Sequence, residues 1–294
     1  LTDVTGVQTC ALPIFAVAAP SFRVSTREEL SDATSLMGRF LEFAAQRPGG
    51  QGPDVLTLLS STRSPDEQVA LLQALRARAV DLGLASTRVA DLGMRVAPAV
   101  WDARGGDLDT AERRSAYVGA FLTMAKILGQ DAIELIVPDR WGGPSLDAGD
   151  PLGEDLFMAA DGTPLPAFHT LMPFFLMDLG KAVRVRVEDD DATSGARDIR
   201  VLAGLKENGN VGIILAVLPT PDDERIGYRV TYRLQIDGLG DEPRTLRRAI
   251  IDAGSTAFRF SEASQAVPTK GVLTIARQAT APSVQYLELD LPEE

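Results

Sequence analysis

The chain is poor in the side chains that most chemistry uses. Its 294 residues include one cysteine, Cys10, and one histidine, His169. An internal disulfide framework is therefore excluded. A Cys/His zinc site is excluded as well, because such sites take three or four of these ligands. No G-x-S-x-G elbow occurs, so a serine triad around His169 has no nucleophile in its usual setting. Positive charge is also scarce. Lys and Arg number 29 against 41 Asp and Glu, a net charge of −12. That balance argues against nucleic acid and an anionic membrane surface, both of which select basic faces. No apolar run approaches the roughly 20 residues that span a bilayer. Aromatic residues make up only 6%, which is little for a cleft that works by ring stacking.

What is present is an ordinary globular composition, 45% hydrophobic and 24% charged. It is enough for one large domain or two smaller ones. The beginning is unusual. Residues 4–14 read VTGVQTCALPI, a match to the translation of a sequencing-adapter oligonucleotide. Leu1 to about Ile14 are accordingly expected to be an assembly scar (residues 1–14), with the natural gene cut upstream of about Phe15. A signal peptide is the competing reading, but it lacks a basic n-region and carries Asp3.

From Phe15 to about Asp139, short apolar runs alternate with helical patterns. Ser25 and Glu28 have capping-box spacing, and Leu36, Met37, Phe40, Leu41 and Ala44 follow at helical intervals. Asp54–Leu59 reads as a buried strand. Ser64 followed by Pro65 opens a helix with Val69, Leu72, Leu75, Ala79 and Leu82 inward. Arg95–Val100 is expected to be the next strand. Asp109 or Thr110 caps a third helix that stops at Gly129, and Ile133–Val137 is a fourth strand. Strand and helix in alternation imply parallel pairing through right-handed crossovers. After a Gly/Pro/Asp-rich stretch, an apolar helix is expected over about Leu165–Leu179. Beyond Lys181 the pattern changes to seven short strands, Ala182–Val187, Ile199–Leu205, Val211–Leu218, Tyr228–Ile236, Ala257–Phe260, Val272–Ala276 and Val284–Leu289. Turn signals separate them, as in an antiparallel sandwich.

This order of pieces resembles clan-A glycoside hydrolases, especially the xylosidase/iduronidase-type family. FLEFAAQRPGGQGPDVLTLLSS has the layout of that family's helix 5 and strand 6, D-F-I-S-x-H-x-Y. RVAPAVWDARGG stands where strand 7 ends in T-E-W, and AIELIVPDRWGG where strand 8 ends near an aromatic. GEDLFMAADGTPLPAFHTL matches the G-L-x-x-x-D-G-x-P-K-P-A-Y run into the last barrel helix, and APSVQYLELDL resembles the closing sandwich strand. The resemblance implies an α/β plus all-β fold: the C-terminal half of a (β/α)8 TIM barrel, strands 5–8, over residues 15–180, and an antiparallel β-sandwich over 181–294. It implies carbohydrate as partner, no cofactor, and by family habit an extracytoplasmic or secreted setting. Four parallel strands cannot close a barrel, so unpaired edges at strands 5 and 8 are expected, with poor solubility or a partner that covers that surface. Composition and spacing say nothing about oligomeric state.

The chain departs from the family at its chemistry. The histidine and tyrosine positions of strand 6 fall on Leu59 and Ser61. The T-E-W glutamate has no counterpart, and Asp102 is the nearest carboxylate. Asp102 is either a shortened nucleophile or a loop carboxylate, solvated or paired with Arg104. Trp141 and Trp101 are either sugar-stacking faces or barrel-top packing. Asp139 and Arg140 are either sugar hydrogen-bonders or an ion pair. Glu134 and His169 read as structural residues, and Asp189–Asp191 as a solvated turn without calcium-loop spacing. Three functions stay open: a retaining glycosidase, a non-catalytic barrel that binds glycan or serves a structural role, and an unrelated α/β protein with a sandwich. Retaining hydrolysis needs two carboxylates roughly 5–5.5 Å apart.

Overall fold

The computed structural model describes residues 21–24, 26–32, 34–46, 52–129, 135–138, 156–159, 161–177, 181–182, 185–189, 199–206, 208–219 and 226–290. The chain divides into two compact units. The first takes in residues up to 62, 67–95 and 129–139; the second takes in 63–66, 96–128 and everything from 140 on.

The first unit holds a four-stranded sheet in the order β1 (Phe22–Val24), β2 (Val55–Thr62), β3 (Arg88–Val96), β4 (Leu135–Pro138). β1 runs parallel to β2, and β3 parallel to β4. Helices α1 (Glu28–Ser31) and α2 (Leu36–Ala45) join β1 to β2, and α3 (Pro65–Asp81) joins β2 to β3. The expected cap at Ser25 lies outside the described residues. The described cap is Ser35, whose side chain accepts from the Gly38 amide, and Asp32 and Thr34 turn the chain between the two helices. α3 begins with Pro65, whose missing N–H costs nothing at the first helical position. It ends at Asp81 and is followed by Gly83, where φ is +82° and past which the Leu84 amide returns to the Ala79 carbonyl, a C-terminal arrangement that favours glycine. Its inner face, Leu71, Leu72, Leu75 and Ala79, packs with Leu56 and Leu58 of β2 and Val89 of β3. Even-numbered β2 residues therefore face the helix. Thr57, Leu59 and Ser61 lie on the opposite face, because side chains alternate along a strand.

One expectation about this stretch changes. Arg95–Val100 is not a strand: β3 ends at Val96, and Pro98–Arg104 forms the helix α4. A proline two residues past the strand lacks the ladder donor and suits the first turn of a helix.

The second unit carries α4, a 3₁₀ turn (Gly105–Leu108), α5 (Ala111–Leu128), and short helices α6 (Pro166–His169) and α7 (Met172–Leu176). The expected single helix over 165–179 is broken at residues 170–171, and Pro173 sits in the first turn of α7. The segment that enters α6 turns at Asp161, whose carboxylate accepts from the Thr163 amide, and at Gly162, where φ is +83°. Ser115 of α5 fastens it. The Ser115 hydroxyl donates to the Leu156 carbonyl and accepts from the Ala167 amide.

The strands of this unit are β5 (Lys181–Ala182), β6 (Val185–Asp189), β7 (Ile199–Leu205), β8 (Val211–Val217), β9 (Arg229–Asp237), β10 (Arg244–Ile251), β11 (Phe260–Ala266), β12 (Val272–Thr280) and β13 (Ser283–Asp290). They form an antiparallel six-stranded sheet, β11-β10-β13-β8-β7-β5, and a three-stranded sheet, β12-β9-β6. Ile213, Leu215, Leu287 and Leu289 of the larger sheet meet Tyr232, Leu234, Leu273 and Ile275 of the smaller one in a common core. α5 packs on the other face of the larger sheet, against β13, β7 and β8, so all of β8 is buried. Strand β10 was not among the seven expected strands. Its Arg244, Arg247 and Arg248 hide the apolar alternation, although Arg244 and Arg248 are themselves buried.

Candidate functional site

The described end of β2 carries the positions at which the resemblance calls for polar groups. Leu59 and Ser61 are half-buried on the face away from α3. Next to them, Thr57 pairs its hydroxyl with Ser21 at 2.9 Å. The Leu59 side chain can neither donate nor accept a hydrogen bond, and Ser61 is too short to reach where a tyrosine hydroxyl would.

The buried polar groups lie on the other face, between the sheet and α3. Ser60 and Thr62 of β2, Gln68 in the first turn of α3 and Asp91 of β3 form one network. The Ser60 hydroxyl is 2.6 Å from Gln68 Oε1 and 2.5 Å from Asp91 Oδ2, and its single proton can serve only one of them. Thr62 supplies Gln68 Oε1 at 2.9 Å, which frees the Ser60 proton for Asp91. Gln68 Nε2 also donates to Asp91 Oδ2, and the Gly93 amide donates to Oδ1 at 3.0 Å. Burial pushes the Asp91 carboxyl above the usual carboxylate range, and the bonds from Ser60, Gly93 and Gln68 oppose that shift. The network satisfies a carboxyl group that faces the helix layer. It positions β2, β3 and α3 against each other and presents no carboxylate on the opposite face. Sequence reasoning passed over Asp91, although an aspartate inside RVADLGMRV was the available signal.

Trp101 and Asp102 are consecutive residues of α4, past the end of β3 rather than at it. Asp102 is exposed. Trp101 is half-buried, edge-on to the fully buried Tyr117 with ring centroids 5.7 Å apart. Its Nε1 is buried with no hydrogen-bond partner among the described residues. Glu134, Asp139, Arg140, Trp141, Asp190 and Asp191 lie outside the described residues. His169 is buried in α6, where burial lowers its pKa and a hydrogen bond with the Thr256 backbone opposes the shift. No group of three or more His, Cys, Asp or Glu among the described residues could hold a metal, and no described helix is long and apolar enough to cross a membrane.

A second charged cluster lies at one end of the six-stranded sheet. Glu288 accepts from Lys206 at 2.5 Å and from the Tyr286 hydroxyl at 2.8 Å. Asp290 accepts from Asn210 at 2.8 Å and pairs with Arg247 at 3.0 Å. Burial works against the Glu288 anion, but the bonds from Lys206 and Tyr286 hold its pKa down. Burial pushes Asp290 up, against the pull of Arg247. The cluster ties the β7–β8 turn and β10 to the last strand.

No protein-family model and no curated protein matches the chain. Solved structures do. A glucosidase from Croceicoccus marinus aligns with a TM-score of 0.64 at 18% identity, over 96% of this chain and 61% of that one. A bacterial orthologue of human α-L-iduronidase aligns at 0.59 and 12%, over 97% and 57%. The GH51 arabinofuranosidase from Xanthomonas axonopodis pv. citri aligns at 0.50 and 12%, over 93% and 58%. The fold is similar to that of these three glycosidases: parallel strand–helix units with an antiparallel sandwich. The chain spans about three fifths of the length of these three structures.

Proposed function

We propose that the protein acts on carbohydrate by binding it, and that the described strand ends do not hydrolyse a glycosidic bond. The fold likeness to three glycosidases supports carbohydrate as the ligand class. The observation that carries the non-hydrolytic part is the distribution of polar groups on β2 and β3. The face away from the helices has Leu59 and Ser61 where the resembled family has histidine and tyrosine, and the buried carboxylate, Asp91, points towards α3. In a barrel, catalytic carboxylates project from the C-terminal ends of strands. Retaining hydrolysis needs two of them, roughly 5–5.5 Å apart.

A second reading keeps a hydrolytic role for Asp102. Its exposure on α4, just beyond a strand end, favours it. An aspartate there is one methylene shorter than the family's glutamate, enough to miss a near-attack geometry. Trp101 and Trp141 are proposed as sugar-facing rings, with Asp139 and Arg140 as hydrogen-bonding partners. The test is a panel of nitrophenyl glycosides and soluble polysaccharides assayed for release and for retention on the same protein preparation. Binding without release is expected. Release that disappears in Asp102→Asn would favour the second reading.

A further inference from the structure

The second unit contains a recess of about 260 Å³. The 3₁₀ turn and first turn of α5 supply Asp107 and Arg113, and three sandwich turns supply Gly227, Asp252, Thr280 and Pro282. Its walls are fixed by backbone bonds. The Gly227 amide donates to the Ala281 carbonyl at 2.7 Å, and the Ala281 amide to Tyr228 at 3.0 Å. Asp252 Oδ1 accepts from the Gly254 amide and from Ser255 Oγ, each at 3.0 Å. At Gly227, where φ is +85°, no atom of the described residues stands within 4 Å of the place a Cβ would take, so they leave the rim open there.

We infer that this recess is a sugar-binding subsite, separate from the barrel strand ends, that holds one neutral sugar ring through its hydroxyls. The inference rests on the carbohydrate reading above. Size limits the occupant to one ring, since the volume lies just under the roughly 300–1,000 Å³ of pockets for drug-sized ligands. The lining chemistry suits hydroxyls, which donate and accept at once. Asp107 is exposed, and Asp252 has its second oxygen to offer as an acceptor. Arg113 spends one N–H on Asp109 at 2.9 Å and has others to donate. An anion would meet two carboxylates against a guanidinium already partnered. A divalent cation would meet that guanidinium and only two carboxylates, fewer than the ligand set such ions take. No aromatic ring among the described residues lines the recess, so binding through these residues goes without stacking and is weak, with a Kd on the order of 1–10 mM.

The test is saturation-transfer NMR of methyl glucoside, methyl xyloside and methyl arabinoside on the full chain. Two variants act by different routes: Ala253→Trp fills the recess from its half-exposed turn, and Asp107→Ala removes an exposed acceptor without touching the core. The expected result is millimolar binding of at least one glycoside, weakened tenfold or more by each variant. Binding unchanged in both variants overturns the subsite and leaves the carbohydrate reading standing. Absence of glycoside binding, or displacement of the glycoside by millimolar Ca²⁺, also overturns the subsite. The carbohydrate reading falls only if polysaccharide retention fails as well.

Discussion

Gln285→Leu should weaken the sandwich by several kcal/mol, because one side-chain carbonyl satisfies two buried donors. Gln285 Oε1 accepts from the Tyr232 hydroxyl at 2.6 Å and from Arg248 Nε at 3.0 Å. Arg248 Nη2 donates onward to the Gln278 carbonyl at 2.8 Å, tying β10 of the larger sheet to β12 of the smaller one. Gln285 itself has no solvent exposure. Leucine has nearly the same shape and no acceptor. Each buried donor left without its partner costs about 1–3 kcal/mol, with the charged guanidinium at the upper end, so the expected loss is roughly 3–5 kcal/mol. That is a large share of the 5–15 kcal/mol or so of an ordinary domain. Arg248→Met should cost much less, since it removes the buried cation and leaves the Tyr232–Gln285 bond in place. The double variant should then lose less than the two singles together, by about 1–3 kcal/mol of coupling. Urea unfolding followed by tyrosine near-UV circular dichroism reads this directly, because Tyr228, Tyr232 and Tyr286 all lie in the strand region. A Gln285→Leu loss below about 1 kcal/mol, or an Arg248→Met loss larger than that of Gln285→Leu, would refute the reasoning.

Two further perturbations test other parts of the fold. The Asp91 carboxyl is pushed up in the folded chain, so its contribution is full below the unfolded value of about 3.9 and is lost as pH rises through the folded value. Asp91→Asn should therefore gain stability relative to the wild type as pH rises above about 4, seen as diverging urea midpoints; parallel pH profiles would contradict this. At Gly119 in α5, an added Cβ would stand 2.7 Å from Thr170 Cγ2 and 3.0 Å from the Ala167 backbone. Gly119→Ala should cost about 1–3 kcal/mol despite alanine's better helix propensity, and a stabilised variant in thermal unfolding would show that α5 and α6 are not in close contact.

The broad architecture was legible because hydrophobic period and punctuation agree. Pro65 opens α3 as its position predicts, and Thr110 accepts from the Arg113 amide at the start of α5. Most sandwich strands fall within a few residues of their apolar runs. The failures have local causes. β10 carries three arginines, and only tertiary partners such as Gln285 reveal that Arg248 points inward. Pro98 converts an apparent strand continuation into α4, which moves Trp101 and Asp102 off the strand end. The buried network at Asp91 depends on which face of β3 that residue occupies, and this requires knowing where α3 packs.

The claim that the protein binds carbohydrate without cleaving it is tested most directly by loading the full chain on a panel of insoluble polysaccharides and measuring both retention and reducing-sugar release. Retention on at least one polysaccharide, with release no higher than the protein-free control, is the predicted result. Absence of retention on every polymer, or sugar release abolished by Asp102→Asn, would contradict it.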